Sequence, residues 1–350
     1  MREQGVCVSC NSGMHDERKG YMFCRPGLYV YTTGQYTGAI TCLLLLWAVS
    51  ASGAWAGSES PDMERYFFSG NGVLTITSEQ TKQSFSGVYR TKRGHYDKEA
   101  IRRICRVFNA PCESPRMELS LRLIEFLDYL EDHLQSGAKI TITSGYRKPE
   151  YNTMLRNKGY LAAKASLHQY GMAADIKIAG VHPETLWHYV RNLHFGGTGY
   201  YHGQIVHIDV GPARSWDETT SGVGTGISDN NKLIGMVTDY DVYRPDMTVT
   251  LRFIRVTAFP IHVASSFSLL HQNSTGEFEA YQTFFPLFPL SSSGECTRFE
   301  NIDEMNYITW RLPIDAPSGR YKIQARFCDV TWPGMPSHIE TPEFEIKNPE

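Results

Sequence analysis

The sequence predicts an α+β protein in which a mixed region of helices and strands precedes an all-β sandwich of the immunoglobulin-like type. Two patterns support this prediction. In the first region, four leucines recur at helical spacing: Leu123, Leu127, Leu130 and Leu134. In the second region, apolar and polar residues alternate over 249–253 and 321–327, with Pro and Gly turns between such runs. This period of two is typical of strands that bury one face.

The first 56 residues predict a secretory leader. An apolar run of about a dozen residues, from Gly38 to Val49, is too short to span a membrane comfortably. The small-residue pattern Ala54-Trp-Ala56 follows it, which is typical of a cleavage site. We therefore expect cleavage after Ala56 and export to the periplasm or cell wall, with Met22 as an alternative start. An uncleaved N-terminal anchor is the competing interpretation.

Cysteine usage agrees with an oxidising compartment. Four cysteines remain after the leader: Cys105, Cys112, Cys296 and Cys328. The most local pairing joins the first to the second and the third to the fourth, although the sequence leaves the other two connectivities open. The formal net charge of −3 gives no basic surplus. We therefore expect no nucleic-acid partner, and membrane contact only through the leader.

After the leader, residues 57–218 predict a compact catalytic region that begins with a hairpin, 73–77 and 85–89. Ser114-Pro115 predicts the start of the leucine-rich helix, and another helix is expected around Pro183 to Leu193. Between them, Ile140 and Ile142 alternate with threonines, which predicts a short strand.

Arg147 lies directly after this strand, in the segment Ser144-Gly-Tyr-Arg147, and Pro149 predicts the helix that follows. An arginine in a loop at the end of a strand can reach into a cleft. There it can polarise a scissile carbonyl or hold a carboxylate with two hydrogen bonds. The alternative is a surface salt bridge.

Two histidines and a carboxylate predict a metal site. His168 and Asp175 lie in a segment rich in small residues, and His207 follows within the predicted strand Gln204-Ile-Val-His-Ile-Asp209-Val. Because side chains alternate along a strand, His207 and Asp209 should share one face. Two imidazoles and a carboxylate are ligands that a hydrolytic zinc ion accepts, with a fourth position left for water. Taken singly, each residue is equally explained by hydrogen bonding in a core.

Four motifs in order carry a resemblance: Ser-Gly-Tyr-Arg at 144–147, Ser-x-His-x-x-Gly-x-Ala-x-Asp at 166–175, Gly-Gly-x-Gly-Tyr-Tyr at 196–201 and His-x-Asp at 207–209. Together they resemble the zinc peptidases that cut bacterial cell-wall peptides. That superfamily includes the D-alanyl-D-alanine carboxypeptidases and dipeptidases and shares its fold with the hedgehog signalling domain. The periplasmic murein endopeptidases that cleave meso-diaminopimelate cross-links are the most similar branch.

The resemblance covers about residues 67–216 and implies a hedgehog-like zinc domain. It also implies Zn²⁺ bound by His168, Asp175 and His207, with Arg147 contacting the substrate or the transition state.

One position departs from the pattern of the resembling enzymes. Many of them have a glutamate or aspartate as general base three residues before the last zinc histidine, where this chain has Gln204. An amide cannot accept the proton at neutral pH. Asp209 is the best substitute, with His202 second. The alternative role for Asp209 is to orient His207.

Residues 219–232 are rich in Gly, Ser and Thr and predict a linker, and 233–350 predict the sandwich. We expect the sandwich to be an independent module that positions the enzyme. The function implied is an exported, zinc-dependent hydrolase of peptidoglycan cross-links or stem peptides, with endopeptidase activity favoured. The alternatives are a non-catalytic cell-wall-binding protein that retains the zinc fold, and a D-alanyl carboxypeptidase.

Overall fold

The computed structural model describes residues 65–113, 116–117, 119–160, 162–289 and 294–348. The predicted leader, its cleavage site and Met22 lie outside these residues. Within the described ranges, no helix is both long enough and apolar enough to cross a lipid bilayer.

A seven-stranded sheet organises the first half of the described chain. Its strands follow the order β2-β1-β5-β6-β8-β7-β9. The predicted hairpin is confirmed as β1 and β2, and the strand before Arg147 as β5. Strands β3 and β4 are a separate pair of two residues each and do not belong to this sheet. The strands of this half are β1 (Val73–Ser78), β2 (Ser84–Val88), β3 (Cys112–Glu113), β4 (Arg116–Met117), β5 (Ile140–Ser144), β6 (Ala173–Ile178), β7 (Gly197–Tyr200), β8 (Val206–Asp209) and β9 (Arg214–Trp216).

Four α-helices accompany this sheet: α1 (Lys98–Phe108), α2 (Leu121–Leu134), α3 (Pro149–Asn157) and α4 (Pro183–Leu193). The Asp97 side chain caps α1 by accepting hydrogen bonds from the backbone amides of residues 99 and 100. Pro149 and Pro183 open α3 and α4, as predicted, because the first turn of a helix needs no proline N–H. Helices α1 and α2 pack on the hairpin side of the sheet, and α4 packs on β7 and β8.

The predicted start of the leucine-rich helix was wrong. Ser114 and Pro115 lie outside the described residues, but β4 follows them and α2 begins only at Leu121. The chain pairs Cys112 with Met117 before it turns into the helix. A local antiparallel pairing therefore takes the place of the first predicted turn.

The second half of the described chain is rich in β-structure. A three-stranded sheet has the order β10-β12-β17, and a larger one has the order β11-β20-β18-β14-β15 with β19 paired to β18; β13 and β16 form a separate pair. The strands are β10 (Gly235–Thr238), β11 (Val242–Tyr243), β12 (Thr248–Ile254), β13 (Ile261–Ala264), β14 (Phe267–Gln272), β15 (Phe278–Phe284), β16 (Cys296–Phe299), β17 (Ile308–Arg311), β18 (Gly319–Arg326), β19 (His338–Glu340) and β20 (Phe344–Ile346).

Both predicted strands of this half are present, as β12 and β18. Their alternating apolar residues lie in one shared core, together with aromatic side chains from the other strands. The immunoglobulin-like arrangement of the sheets and the boundaries at 218 and 232 stay predictions.

Two disulfides join the four cysteines by the most local pairing. Cys105 bonds to Cys112, next to the end of α1, and Cys296 bonds to Cys328 within the β-rich half. Of the three connectivities that the sequence allowed, the structure therefore forms this one.

The two halves share buried contacts, so the β-rich half is not an independent module. Val237 and Ile254 belong to the core of the first half. Arg122 of α2 forms an ion pair with Asp241, and both side chains are buried. The Tyr66 hydroxyl donates to the carbonyl of Asp239 at 2.9 Å. A chain ending after the predicted linker would expose part of this core and leave Arg122 without its partner.

We expect Asp241→Asn to destabilise the whole described fold. The substitution keeps the size of the side chain but leaves the Arg122 cation buried beside a neutral group. Breaking one partner of a buried pair costs about 3–5 kcal/mol. Denaturant unfolding, followed by tryptophan fluorescence, measures the loss.

The matched control is Asp246→Asn, which breaks the exposed ion pair between Asp246 and Arg311. Water solvates both of those charges, so the unfolding midpoint should change little. Equal effects of the two substitutions would contradict a joining role for the Arg122–Asp241 pair.

Candidate metal centre and substrate cleft

The pairing of β6 with β8 brings two predicted metal ligands together. The strands are antiparallel, and Asp175 lies directly opposite His207 in their register. Directly opposed residues have Cβ atoms about 5 Å apart. The Nδ1 atom of His207 lies 2.9 Å from Oδ1 of Asp175. Two residues separated by 32 positions in the sequence therefore become neighbours through one strand register.

His168 reaches the same point from a short 3-10 helix, Leu167–Tyr170. Gly171 ends that helix with φ of +61°, a left-handed conformation that glycine adopts without strain, and the chain then enters β6. The imidazole is almost fully buried. Its Nδ1–H donates to the carbonyl of Gly145 at 2.7 Å, which leaves the lone pair of Nε2 directed at the other two ligands.

The three donor atoms form a triangle that fits a metal ion. Nε2 of His168 lies 3.2 Å from Nδ1 of His207 and 3.4 Å from Oδ1 of Asp175, and the third edge is 2.9 Å. Two ligands about 2.0–2.1 Å from a tetrahedral zinc ion lie about 3.3 Å apart. These edges and the His₂Asp donor set both suit zinc. Among the described residues, this is the group of His, Cys, Asp and Glu side chains close enough to hold an ion.

Asp209 lies on the opposite side of the His207 ring from the triangle. Its Oδ2 accepts from Nε2 of His207 at 3.1 Å and from Arg214 at 2.6 Å. Its Oδ1 accepts from the amides of Gly197 and Gly211 and from a second nitrogen of Arg214. The side chain is fully buried. The geometry therefore matches the alternative in which Asp209 fixes the ring orientation and tautomer of His207.

The charge state of Asp209 supports the same assignment. Burial alone would raise the pKa of this carboxyl group. The positive charge of Arg214 and the hydrogen bond from His207 outweigh burial and hold the pKa far below its usual value. A carboxylate with so low a pKa and five hydrogen-bond donors is a poor general base, because a base must have a free lone pair facing the proton that it accepts.

Arg147 contacts the third ligand. Its guanidinium donates to Oδ2 of Asp175 at 2.6 Å and to the hydroxyl of Ser144 at 3.0 Å. Its backbone amide donates to the carbonyl of His168 at 3.1 Å. Arg147 therefore contacts two residues of the triangle, Asp175 and His168. Its ion pair is with Asp175 at the site, and not with a residue on the protein surface.

Trp216 packs against the ring of His207. The ring centroids lie 5.0 Å apart, and the indole N–H donates to the hydroxyl of Tyr201 at 2.8 Å. Close approach of the indole requires Gly199, because a Cβ there would lie 2.6 Å from the indole nitrogen. This packing gives a physical reason for the third glycine of the Gly-Gly-x-Gly motif.

The triangle lines a cleft with a volume of about 710 Å³. The predicted linker is one of its walls, since residues 220–224 and 226–229 line it. The cleft is cationic: its charged residues other than the ligands are Arg147, Arg156, Lys164, Arg214, Arg255 and Asp229. A surplus of positive charge in a partly enclosed cleft favours an anionic substrate.

The position of the usual general base, Gln204, and the second candidate base, His202, do not line the cleft. Gln204 and His202 are exposed, and His202 lies 3.7 Å from Glu218 without lining the cleft. Sequence reasoning missed Arg214, Trp216 and Arg255. Arg214 and Trp216 lie five and seven residues after Asp209. Because they are two residues apart on β9, their side chains share one face of the strand, and this spacing could have been read from the sequence. Arg255 gave no such signal, because it comes from the β-rich half.

Comparison with known proteins places the same segment in one enzyme family. The profile of the peptidoglycan L,D-endopeptidase MepK family matches residues 69–216. MepK of Escherichia coli is 30% identical over 145 residues, which cover 41% of this chain and 79% of MepK. The probable MepK of Haemophilus influenzae is 39% identical over 81 residues, covering 23% of this chain and 44% of that protein.

A superoxide reductase structure from Ignicoccus hospitalis is 12% identical and covers 33% of this chain and 79% of its own, with a TM-score of 0.19, too low to support a structural argument. The match to Escherichia coli MepK spans most of that enzyme, and the family profile over residues 69–216 contains all three residues of the triangle. The chain therefore belongs to the peptidoglycan L,D-endopeptidase MepK family.

Proposed function

We propose that this chain is an exported zinc peptidase that hydrolyses peptide cross-links in bacterial peptidoglycan. The observation that carries the proposal is the triangle of His168, Asp175 and His207, which lines a cationic cleft inside the segment that matches the family. Peptidoglycan peptides carry free carboxylates, which suit such a cleft. The names of the relatives favour an endopeptidase over a carboxypeptidase.

Each residue of this site has a separate proposed role. His168, Asp175 and His207 would hold the ion, which when bound polarises a carbonyl and lowers the pKa of water. Asp209 accepts the Nε2–H of His207 and so keeps Nδ1 free to act as a ligand. Arg147 is bonded to Asp175 and would donate hydrogen bonds to a substrate oxygen as negative charge develops on it.

The proposal extends to the rest of the chain. Export rests on the predicted leader and on two disulfides, which persist in oxidising compartments. We also propose that the β-rich half is an immunoglobulin-like sandwich. Its support is the pair of larger sheets, whose side chains share one core.

Digestion of purified sacculi by the zinc-loaded protein from Gly57 onward tests the activity directly. Cleavage of cross-links should convert dimeric muropeptides to monomers, as measured by mass. Release of D-alanine alone would instead show a carboxypeptidase. Sacculi that bind the protein but stay intact would leave the wall-binding alternative.

The purified protein should hold close to one equivalent of zinc, and His168→Ala should lose most of it. Removing one of three ligands leaves two donors for the ion, which is too few for a stable site. Affinity should also fall as the pH drops, because protons compete for the histidine nitrogens. Elemental analysis after dialysis measures the metal.

His188→Ala is the control for this substitution, because His188 lies exposed on α4, away from the cleft. It should keep the zinc of the unmodified protein. Equal zinc in the His168 and His188 variants would rule out the site.

Asp209→Asn should weaken zinc binding by about 10-fold to 100-fold, the usual effect of losing a partner behind a ligating histidine. At saturating zinc, most of the turnover should return. Zinc competition with a chelator and peptidase assays over a zinc series measure the two quantities.

A general-base role for Asp209 predicts the opposite pattern. Zinc affinity would stay normal, while turnover at saturating zinc would fall by a factor on the order of 10²–10⁴. That result would overturn the orienting role.

A further inference from the structure

Arg255 is a buried cation without a partner. It follows directly after β12, in the β-rich half, and is 9% exposed. Among the described residues, none forms a hydrogen bond or ion pair with its guanidinium. The side chain lines the same cleft as His168, Asp175 and His207. Burying a charge without a partner is costly, so such a group in a cleft indicates an anion that arrives with the ligand.

The two partly buried arginines beside the triangle, Arg147 and Arg214, each already bind a carboxylate. Both terminal nitrogens of Arg214 bind Asp209. Arg147 binds Asp175 and Ser144. The negative charge of Asp209 attracts Arg255, but Asp209 is hydrogen-bonded to Arg214, whose positive charge repels Arg255 more strongly. Burial, and after it this repulsion, lowers the pKa of Arg255 to about 10, which still leaves it protonated at neutral pH.

The position of Arg255 is fixed relative to the metal ligands. The carbonyl of Tyr170 accepts from Arg252 at 3.1 Å, and the Tyr170 hydroxyl accepts from the amide of Val256 at 3.1 Å. Tyr170 ends the 3-10 helix that carries His168. Hydrogen bonds from Arg252, before Arg255, and from Val256, after it, therefore hold this segment against the 3-10 helix that carries His168.

We propose that Arg255 is a specificity residue that binds a carboxylate of the peptide substrate, so that the β-rich half completes the substrate cleft. This inference rests on the proposed peptidase function. Arg255 lies outside the residues 69–216 that match the family, so the contact is a feature of this chain and not of the matched domain. A planar guanidinium can hold a carboxylate with two parallel hydrogen bonds.

The test compares Arg255→Met with the unmodified zinc-loaded protein on two substrates. One is a soluble cross-linked muropeptide dimer, and the other is the same dimer with its free carboxylates converted to carboxamides. The ratio of kcat/KM for the carboxylate form over the carboxamide form should fall by about 10-fold to 100-fold in the variant, the usual effect of losing a charge-assisted hydrogen bond. Arg255→Lys should restore part of the ratio.

Arg326→Gln is the matched control, because Arg326 is an exposed arginine on β18 of the same half. It should leave the ratio unchanged. The unfolding midpoint of Arg255→Met should be no lower than that of the unmodified protein, since the substitution removes an unpaired buried charge. A clear drop in the midpoint, or equal losses on both substrates, would assign Arg255 a structural role and overturn the inference.

Binding separates this inference from the proposed function. Titration with an uncross-linked muropeptide monomer should give a Kd that rises in Arg255→Met for the carboxylate form only. A protein that binds the monomer in this way but cleaves no dimer would contradict the peptidase function and keep the carboxylate site. A protein that cleaves dimers with an unchanged ratio in the variant would keep the function and contradict the site.

Discussion

The antiparallel pairing of β6 with β8 is the constraint on which the site depends. Its register sets Asp175 opposite His207, and the same register sets Asp209 beside Ala173. If either strand shifted by one residue, its own member of the pair would turn to the other face of the sheet and the two side chains would no longer meet. The buried apolar residues Ile176, Val206 and Ile208 on these strands hold the register, because each would be exposed by such a shift.

Charge balance around this pairing decides what each ionisable group can do. Asp209 is buried and is neutralised by Arg214, so it acts behind His207 and does not face the cleft. Arg147 plays the corresponding part for Asp175. Among the described residues, no carboxylate is hydrogen-bonded to Arg255, and this residue comes from the half of the chain that the family match leaves out. The cleft is therefore assembled by both halves, with the segment between them as a wall.

Much of the fold could be predicted because its signals are local. The hairpin, β5, α4, β12 and β18 follow from periodicity and from prolines at the first turn of helices. The start of α2 was missed because β3 and β4 pair over too few residues to show a period. The independence of the β-rich half was also wrong. Glycine-rich composition indicates a linker, but it does not show that Arg122 and Asp241 pair across it.

The sequence by itself determined which residues could hold a metal ion, because two imidazoles and a carboxylate at His168, Asp175 and His207 are suitable donors wherever the fold brings them together. It could not decide between two roles for Asp209, since both require a carboxylate at that position. Only the tertiary structure decided that Asp209 faces Arg214 and two backbone amides. Nor could any local pattern place Arg255 in the cleft. That contact joins residues far apart in the chain, and it exists only because buried apolar surface brings the two halves together.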